Sequence, residues 1–320
     1  MPRAFITGVS GQDGSYLAER LLEDGWDLHA LVRSASAEDE NPLDPAITVH
    51  EGDLDSPGPL TGLIDGVEPD VVFNLAGISS VAKSWDEPAL TGRVTGQSVA
   101  VMLDAAWRTQ ERLGRPVRFV QASSAEIFGA SDDVPQTERT AIRPTSPYGA
   151  AKAFAHHLVG VYRGRGLPAS AAVLYNHESP RRPLAFVTRK ITAGVAAIAA
   201  GRSDSLSLGN LDAQRDWGWA PDYVDALVRM AASDRPEDYI VATGVAHTVR
   251  EFVGAAFAAA GIDDWEHLVT IDPRFARPVD APLSVGDPSR IRDDLGWTPT
   301  VDFEGIVARM VENDRRLLEG

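Results

Sequence analysis

Short apolar runs alternate with stretches of helical periodicity along the first half of the chain. The runs predict five strands, at Ala4–Thr7, Leu28–Val32, Ile47–His50, Val71–Leu75 and Val117–Gln121. A run such as VVFNL is apolar throughout, as expected of a strand that is covered on both faces. Between the first two strands, Ser15–Glu23 carries apolar residues at helical spacing. This alternation predicts an α/β fold with a doubly wound parallel sheet.

The pattern is less regular after Leu174. Ile191–Ala200 and the chain from about Phe303 have helical periodicity, but proline-rich and charged pieces separate them. We therefore predict a Rossmann-type dinucleotide-binding domain over residues 1–175. Residues 176–320 are predicted to form mainly a smaller, less regular C-terminal substrate lobe, with segments around 211–245 packing back on the first domain.

Composition narrows the classes of partner and of site. The 320 residues are 44% hydrophobic and 24% charged, which is typical of a packed globular protein. A net charge of −16 argues against nucleic acid and against anionic membrane surfaces as partners. The absence of cysteine excludes disulfides, thiolate metal sites and a cysteine nucleophile. No group of His, Asp and Glu has convincing metal-ligand spacing, so no metal is expected.

The hydropathy pattern also bears on location. No apolar run approaches the ~20 residues of a membrane span, and the N-terminal segment has no signal-peptide pattern. A cytoplasmic location is the resulting expectation.

A glycine-rich segment follows the first predicted strand. The string TGVSGQDG places Gly8, Gly11 and Gly14 in a G-x-x-G-x-x-G frame, with a helix after it. Glycines let a turn pass close to a pyrophosphate, and the helix N-terminus supplies free N–H groups. The segment predicts a dinucleotide-binding loop.

The ends of the second and third strands bear on the choice of cofactor. An acid at the end of the second strand would favour NAD, but Arg33 stands in that region. A guanidinium suits the 2′-phosphate of NADP. NADP is therefore predicted, with NAD as the alternative. Asp53, after the third strand, is placed to reach the adenine amino group.

Tyr148 and Lys152 form a Y-x-x-x-K pair, and residues at i and i+4 share a helix face. A nearby cation favours the phenolate of a tyrosine whose unperturbed pKa is about 10. Ser124 and Glu126 follow the fifth strand, where a parallel sheet binds its ligands. A carbonyl reductase needs only the serine, tyrosine and lysine. The additional carboxylate of Glu126 suits a second proton transfer, as in an elimination.

The second half of the chain contains a basic cluster. Arg181, Arg182, Arg189 and Lys190 form its strongest concentration of cations, which suits a diphosphate. The indoles of Trp217 and Trp219 could stack on a base, but core packing is the role expected of them.

Several strings, in order along nearly the whole chain, resemble the GDP-mannose 4,6-dehydratase family, in the extended branch of the short-chain dehydrogenase/reductase superfamily. They are TGVSGQDGSYLAERLL, SSAEIFG, SPYGAAK, YNHESPRR, FVTRKI, LGNLDAQRDWGWAPDYVDA and GDPSR. The resemblance implies a lyase that converts GDP-mannose to GDP-4-keto-6-deoxymannose by internal hydride transfer from C4 to C6, with a tightly held cofactor.

The resemblance also implies a set of site residues. The implied catalytic residues are Ser124, Glu126, Tyr148 and Lys152. The implied cofactor contacts are Gly8, Ser10, Gly11, Gln12, Asp13, Arg33, Asp53, Leu54, Ala76, Tyr148, Lys152, His177 and Arg182. The implied sugar-nucleotide contacts are Ser84, Asn176, Val187, Lys190, Asn210, Arg215, Arg250 and Arg277.

Departures from the family pattern keep some alternatives open. Ser124 stands where the family usually has threonine, and Arg33 stands alone where a tandem arginine is common. In the family, that arginine loop helps to build a tetramer, so a homodimer and a homotetramer are both expected possibilities. A 4-epimerase or 4-reductase acting on a related nucleotide sugar is the alternative function. A non-catalytic sensor of NADP(H) or of a nucleotide sugar is a more distant one.

Overall fold

The structure is a computed structural model that describes residues 1–33, 43–275 and 281–319. Its strands are Arg3–Thr7 (β1), Asp27–Val32 (β2), Thr48–Glu51 (β3), Val71–Asn74 (β4), Arg118–Ala122 (β5), Ala169–Leu174 (β6), Asn176–Glu178 (β7), Leu206–Leu208 (β8), Gln214–Trp219 (β9), Tyr239–Val241 (β10), Ala246–Thr248 (β11), Val269–Ile271 (β12) and Leu283–Ser284 (β13). Its α-helices are Gln12–Glu23 (α1), Leu60–Val67 (α2), Val81–Asp86 (α3), Pro88–Thr91 (α4), Ser98–Leu113 (α5), Pro147–Gly164 (α6), Val187–Ala199 (α7), Ala220–Ala232 (α8), Val249–Ala259 (α9), Ser289–Leu295 (α10) and Phe303–Glu319 (α11). A π-helical segment, Gly92–Gln97, lies between α4 and α5.

The main sheet confirms the predicted doubly wound fold. Within the described residues it has seven strands in the order β10-β6-β5-β4-β1-β2-β3, and every pairing is parallel. The chain runs outward from β1 to β3 in one direction and from β4 to β10 in the other. The order therefore reverses between β1 and β4, and a ligand crevice is expected at the carboxyl ends of these two strands.

Alternate residues of each strand supply the cores on the two faces of the sheet. In β1, Ala4 and Ile6 pack with α1 and α8, whereas Phe5 packs on the opposite face with α2, α5 and α6. All three side chains are fully buried. This burial on both sides explains why the strands are apolar throughout rather than alternating.

The remaining strands form a separate, smaller layer that carries the less regular lobe. β9 pairs in parallel with β7 and β13 and antiparallel with β11, while β8 pairs with β12. Helices α7, α9 and α11 cover this layer around Trp217, which is 2% exposed and packs on Phe252 and Phe303. Trp217 is therefore a core residue and is not placed to stack on a base.

The bounds of the predicted elements differ most at helix N-termini. The five predicted strands agree with β1 to β5 to within one residue at each end. Helix α7, however, begins at Val187 rather than at the predicted Ile191. Its first turn reads VTRK and lacks the apolar spacing that marks the rest of the helix, so periodicity alone misses it. None of the described helices combines the length and the apolar character needed to cross a membrane.

Candidate active site

The glycine-rich loop lies where the sheet order reverses. Gly8 has a φ of 77°, and its carbonyl oxygen accepts a 3.1 Å hydrogen bond from the Gly11 N–H. A Cβ on Gly8 would lie 2.8 Å from the backbone nitrogen of Ala76, and one on Gly14 would lie 2.0 Å from the Gly8 oxygen. The absence of these two Cβ atoms lets the N-terminus of α1 approach the ends of β1 and β4. Ser10 lies between the first two glycines.

The first turn of α1 is fastened to β7 across the crevice. The Gln12 amide donates to the His177 carbonyl oxygen at 3.1 Å and accepts from the Ser179 hydroxyl at 2.8 Å. The Asp13 carboxylate lies 2.8 Å from Nε2 of His177. The predicted cofactor residues Gln12, Asp13 and His177 are therefore brought together, and they bond to one another. Sequence reasoning missed Ser179, since its only signal is its position within the NHESPRR string.

Two further predicted cofactor residues follow neighbouring strands. Arg33 comes directly after β2 and is exposed. Asp53 lies two residues after β3, is also exposed, and accepts a 2.9 Å hydrogen bond from the Asp55 N–H. Leu54 beside it is buried. Because β2 and β3 are paired in parallel, Arg33 and Asp53 occupy the same edge of the sheet.

The four predicted catalytic residues meet at the carboxyl end of β5. The Lys152 ammonium donates a 2.7 Å hydrogen bond to the Ala122 carbonyl oxygen and lies 5.8 Å from the centroid of the Tyr148 ring. The Ser124 hydroxyl hydrogen-bonds to Tyr148. Glu126 lies in the single 3-10 turn that follows, Ala125–Ile127, and its charge acts on the same phenol.

Burial opposes the charged forms of both the tyrosine and the lysine. It raises the pKa of Tyr148 to about 12, with Glu126 raising it further and the Ser124 hydrogen bond and the Arg182 charge acting in the opposite direction. Burial also lowers the pKa of Lys152 to about 8, against the attraction of Asp13. Burial therefore keeps the phenol protonated near neutral pH and lets the amine lose its proton at a lower pH than an exposed lysine does.

Two supporting residues fix the start of α6. The Ser84 hydroxyl is fully buried, accepts from the Tyr148 N–H at 3.2 Å and donates to the Val81 carbonyl oxygen at 2.7 Å. Ser84, predicted to contact substrate, thus lies directly against the catalytic helix. A Cβ on Gly149 would lie 2.5 Å from the Glu126 carbonyl oxygen, so this glycine allows Glu126 to approach Tyr148. Sequence reasoning missed Gly149, because no local pattern distinguishes it from other helix glycines.

The basic cluster does not act as one unit, which corrects the sequence interpretation. Arg189 is 8% exposed, and its guanidinium pairs with Asp314 of α11, with Nε 2.8 Å from Oδ1. Arg181 donates to Glu19 at 2.7 Å. These two cations bind acids on distant helices because the fold places a carboxylate against each, which nearby sequence does not reveal.

Arg182 remains close to the catalytic residues. Its Nε lies 3.2 Å from Oε2 of Glu178, a carboxylate that is 1% exposed and also accepts from the Thr188 hydroxyl at 2.6 Å. The guanidinium lies 3.8 Å above the Phe186 ring, and its charge acts on both Tyr148 and Asp13. Glu178 is a further residue that the sequence did not single out.

The predicted sugar-nucleotide residues lie mainly in the smaller lobe. Asn176 begins β7, and Val187 begins α7 and is 37% exposed. The ammonium of Lys190 lies 3.3 Å from the centroid of the Phe275 ring, and burial lowers its pKa. Phe275 is half-exposed and had no distinguishing sequence signal.

Three more of these residues lie in or near β9: Asn210 precedes the strand, Arg215 is its second residue, and Arg250 is the second residue of α9. The Asn210 side chain accepts from the Asp212 N–H at 2.9 Å, and Arg250 lies 3.2 Å from the Asp212 carboxylate, so Asp212 joins the two. Arg215 donates to the Ala281 carbonyl oxygen at 2.8 Å. Arg277 lies outside the described residues.

Comparisons with known proteins agree with this geometry. A family model described as GDP-mannose 4,6 dehydratase matches residues 5–310. The chain is 41% identical to GDP-mannose 4,6 dehydratase 1 of Arabidopsis thaliana, over 98% of this chain and 90% of that protein. It is 40% identical to the GDP-mannose 4,6 dehydratase of Homo sapiens, over 98% of this chain and 92% of that protein. A solved structure of Thermus thermophilus UDP-glucose 4-epimerase in complex with NAD has a TM-score of 0.85 and 27% identity, covering 98% and 99% of the two chains.

Proposed function

Because this chain belongs to the GDP-mannose 4,6-dehydratase family, we propose that it removes water from a nucleotide sugar, converting GDP-mannose to GDP-4-keto-6-deoxymannose. The observation that carries the proposal is the placement of Glu126 beside Tyr148, together with Ser124 and Lys152. One phenol and one carboxylate in the same crevice can perform two proton transfers on adjacent carbons of a sugar. A dehydration of this kind requires both.

The loop and crevice fit a nicotinamide dinucleotide. Glycines at 8 and 14 let the turn close against Ala76 and against its own backbone, which brings the free N–H groups at the start of α1 to the crevice where a diphosphate would bind. A nicotinamide bound there would supply the hydride chemistry of the reaction, namely removal of hydride from C4 of the sugar and its return to C6. The residues that would hold the cofactor are Gly8, Ser10, Gly11, Gln12, Asp13, Arg33, Asp53, Leu54, Ala76, Tyr148, Lys152, His177 and Arg182.

We propose NADP as the preferred form of this cofactor. The support is the exposed guanidinium of Arg33 directly after β2, where the adenosine ribose of a Rossmann-bound dinucleotide is expected. A guanidinium binds a 2′-phosphate through charge-assisted hydrogen bonds. Fluorescence titration with NADPH and NADH tests this preference, and equal affinity for the two would contradict it.

The side chains of the site then have defined proton-transfer roles. Tyr148 takes the proton of the sugar 4-hydroxyl as C4 is oxidised. The resulting ketone acidifies the proton on C5, and Glu126 removes it. The C6–O bond breaks, and the hydroxyl leaves as water with a proton supplied by Glu126 or Ser124. C5 regains a proton as hydride is returned to C6, so the proton taken from the 4-hydroxyl ends at C5 and the one taken from C5 ends in the water. Lys152 keeps a cation beneath the phenol, which favours the phenolate.

The substrate is proposed to lie between the crevice and the smaller lobe. Lys190 is the cation best placed for its diphosphate, since Arg181 and Arg189 are engaged by acids. The other proposed contacts are Ser84, Asn176, Val187, Asn210, Arg215, Arg250 and Arg277.

Product analysis tests the proposal. Purified protein incubated with GDP-, dTDP-, UDP- and CDP-hexoses should convert GDP-mannose to a product lighter by one water, with no net gain of reduced cofactor. Tyr148→Phe, which removes one hydroxyl from a buried ring, is the variant that tests the site and should lower turnover by about 10²–10⁴-fold. Absence of a dehydrated product with every hexose would overturn the proposal.

A 4-epimerase is the second candidate, and the similarity to the Thermus thermophilus UDP-glucose 4-epimerase favours it. The same incubation separates the two, because epimerisation leaves the substrate mass unchanged. A 4-reductase would instead consume added NADPH stoichiometrically. A non-catalytic sensor would bind its ligand without any product, and Tyr148→Phe would leave that binding intact.

A further inference from the structure

The Asp13–His177 pair has the hydrogen-bond pattern of an ion pair. Nδ1 of His177 lies 2.7 Å from the Tyr175 carbonyl oxygen, and Nε2 lies 2.8 Å from Oδ2 of Asp13. A carbonyl oxygen only accepts, so Nδ1 carries a hydrogen. An ionised carboxylate also only accepts, so a second hydrogen on Nε2 makes the ring an imidazolium. The pair is then an ion pair.

The surroundings of the pair favour this ionised form. Burial would raise the pKa of Asp13, but the charge and hydrogen bond of His177, aided by Gln12 and Arg182, lower it overall. Burial would likewise lower the pKa of His177, but Asp13 outweighs both burial and the Arg182 charge and raises it. The imidazole ring also stacks on Tyr223, at 4.6 Å between centroids.

The position of Asp13 creates an electrostatic problem for the phosphate loop. Asp13 is the second residue of α1, so its carboxylate lies at the helix end that would bind an anionic diphosphate. Its charge also reaches Lys152 and Tyr148. An uncompensated carboxylate at this place would repel the ligand, because like charges a few ångströms apart and away from bulk water repel strongly.

We infer that His177 is a positioning residue that neutralises Asp13 and thereby lets the phosphate loop accept the diphosphate of a dinucleotide. The inference rests on the proposed function, since it takes the loop to bind a nicotinamide dinucleotide. It assigns His177 a role through Asp13, beyond any direct contact with the cofactor. The Gln12 bonds to the His177 carbonyl oxygen and to Ser179 hold the same turn in register with β7.

Three variants separate charge balance from simple support of the loop. His177→Asn retains an amide that can donate to the Tyr175 carbonyl oxygen but leaves Asp13 without its countercharge. Asp13→Asn removes the carboxylate, and a neutral His177 then needs no partner charge. The double variant Asp13→Asn/His177→Asn contains neither charge.

The measurement is the dissociation constant for NADPH, from fluorescence titration of each folded protein, with thermal unfolding followed in parallel. His177→Asn should weaken binding by about tenfold or more where Asp13 is present, but by no more than about threefold when it is introduced into Asp13→Asn. The smaller effect in the Asp13→Asn background is the decisive result, whatever Asp13→Asn itself does to affinity. A purely supporting role predicts that His177→Asn weakens binding by the same factor in both backgrounds, and this would overturn the inference.

The pH dependence of binding gives a second readout that does not need His177→Asn to fold. In the original protein, affinity for NADPH should fall as pH rises through the raised pKa of His177, because loss of the imidazolium proton exposes the Asp13 charge. In Asp13→Asn this part of the profile should be flat. The ionisable groups that face the pair, namely Arg182, Tyr148, Lys152 and Tyr223, are present in both proteins. The difference between the two profiles therefore reports on the Asp13 charge, which also acts on Lys152 and Tyr148.

The outcomes also distinguish this inference from the proposed function. Protein that binds NADPH with the expected variant order but forms no dehydrated sugar would contradict the dehydration and leave the charge balance in place. Equal NADPH affinity in all three variants, with normal product formation, would overturn the inference alone.

Discussion

The ammonium of Lys152 is held 2.7 Å from the Ala122 carbonyl oxygen, at the last residue of β5. This bond anchors one catalytic residue of α6 to the strand that leads to Ser124 and Glu126. The Lys152 residue is 5% exposed, and its ammonium lies 5.8 Å from the centre of the Tyr148 ring. The catalytic ammonium therefore lies in the interior of the protein, where its charged form is disfavoured and its pKa falls to about 8.

The lowered pKa of Lys152 predicts a specific dependence of stability on pH. The group loses its proton near pH 8 in the folded protein but near pH 10.5 in the unfolded chain. Between these values the unfolded chain binds more protons, so the contribution of Lys152 to the free energy of unfolding rises with pH. Relative to Lys152→Met, the original protein should gain up to about 1.4 kcal/mol per pH unit in this window.

Urea unfolding of both proteins at several pH values from 7 to 11 measures this difference. All other titrating groups are shared, so the difference between the two free energies reports on Lys152. A difference that stays constant across the window would contradict the buried, low-pKa lysine.

The role of Glu126 predicts where the reaction stops when its carboxylate is removed. Glu126→Gln cannot accept the C5 proton, so elimination should slow by about 10²–10⁴-fold. In D2O the variant should also fail to introduce deuterium at C5 of the sugar. Mass spectrometry of the sugar nucleotide measures both effects. Glu312→Gln, on the exposed face of α11, is the matched control and should behave as the original protein. Turnover by Glu126→Gln equal to that of this control would remove Glu126 from the mechanism.

The local parts of this site are those that could be predicted from sequence. The spacing of Tyr148 and Lys152 on one helix face, and the glycines after β1, are patterns within a few residues of each other, and the structure places them as the patterns indicate. The ends of β1 to β5 are set by apolar runs and agree to within one residue. Such features depend on backbone periodicity, which the sequence carries directly.

The long-range pairs could not be predicted in this way. His177 is 164 positions from Asp13, and Arg189 is 125 positions from Asp314. Nothing near Arg189 in the sequence marks Asp314 as its partner, because the contact arises only when α7 and α11 pack together. A basic string of apparently equivalent cations therefore predicts one diphosphate site, although two of these cations, Arg181 and Arg189, bind acids elsewhere.

The glycine loop predicts a steric effect on cofactor binding. In Gly14→Ala the new Cβ would lie 2.0 Å from the Gly8 carbonyl oxygen, so the turn must open and α1 must move away from it. Affinity for NADPH should fall by about tenfold or more, because the N–H groups of the turn lose their alignment. Gly62→Ala is the control: this glycine is in α2, and a Cβ there would meet no atom within 4 Å. It should leave affinity unchanged and stabilise the fold by up to about 1 kcal/mol. Unchanged affinity in both variants would separate the loop from cofactor binding.

The Arg189–Asp314 pair predicts a coupled effect on stability. Both residues are less than a tenth exposed, and Asp314 also accepts a 2.7 Å hydrogen bond from the Thr192 hydroxyl. Asp314→Leu alone leaves a buried guanidinium without its countercharge and should cost about 3–5 kcal/mol of the free energy of unfolding. Arg189→Met alone leaves the carboxylate unpaired, with a similar cost. The double variant Arg189→Met/Asp314→Leu replaces the pair by apolar side chains of similar size and should recover most of the loss, because neither charge then remains buried.

A double-mutant cycle by urea unfolding measures this coupling. NADPH titration of the same four proteins tests whether the pair lies outside the cofactor site. The carbonyl oxygens of Pro180 and Arg182, which Arg189 also contacts, belong to partly exposed residues and can turn to water in the variants. Because the pair joins α7 to α11, the folded double variant should bind NADPH within about twofold of the original protein. Additive costs in the cycle would contradict a direct ion pair. A large loss of NADPH affinity in the stable double variant would instead show that Arg189 contributes to binding of a diphosphate, despite its contact with Asp314.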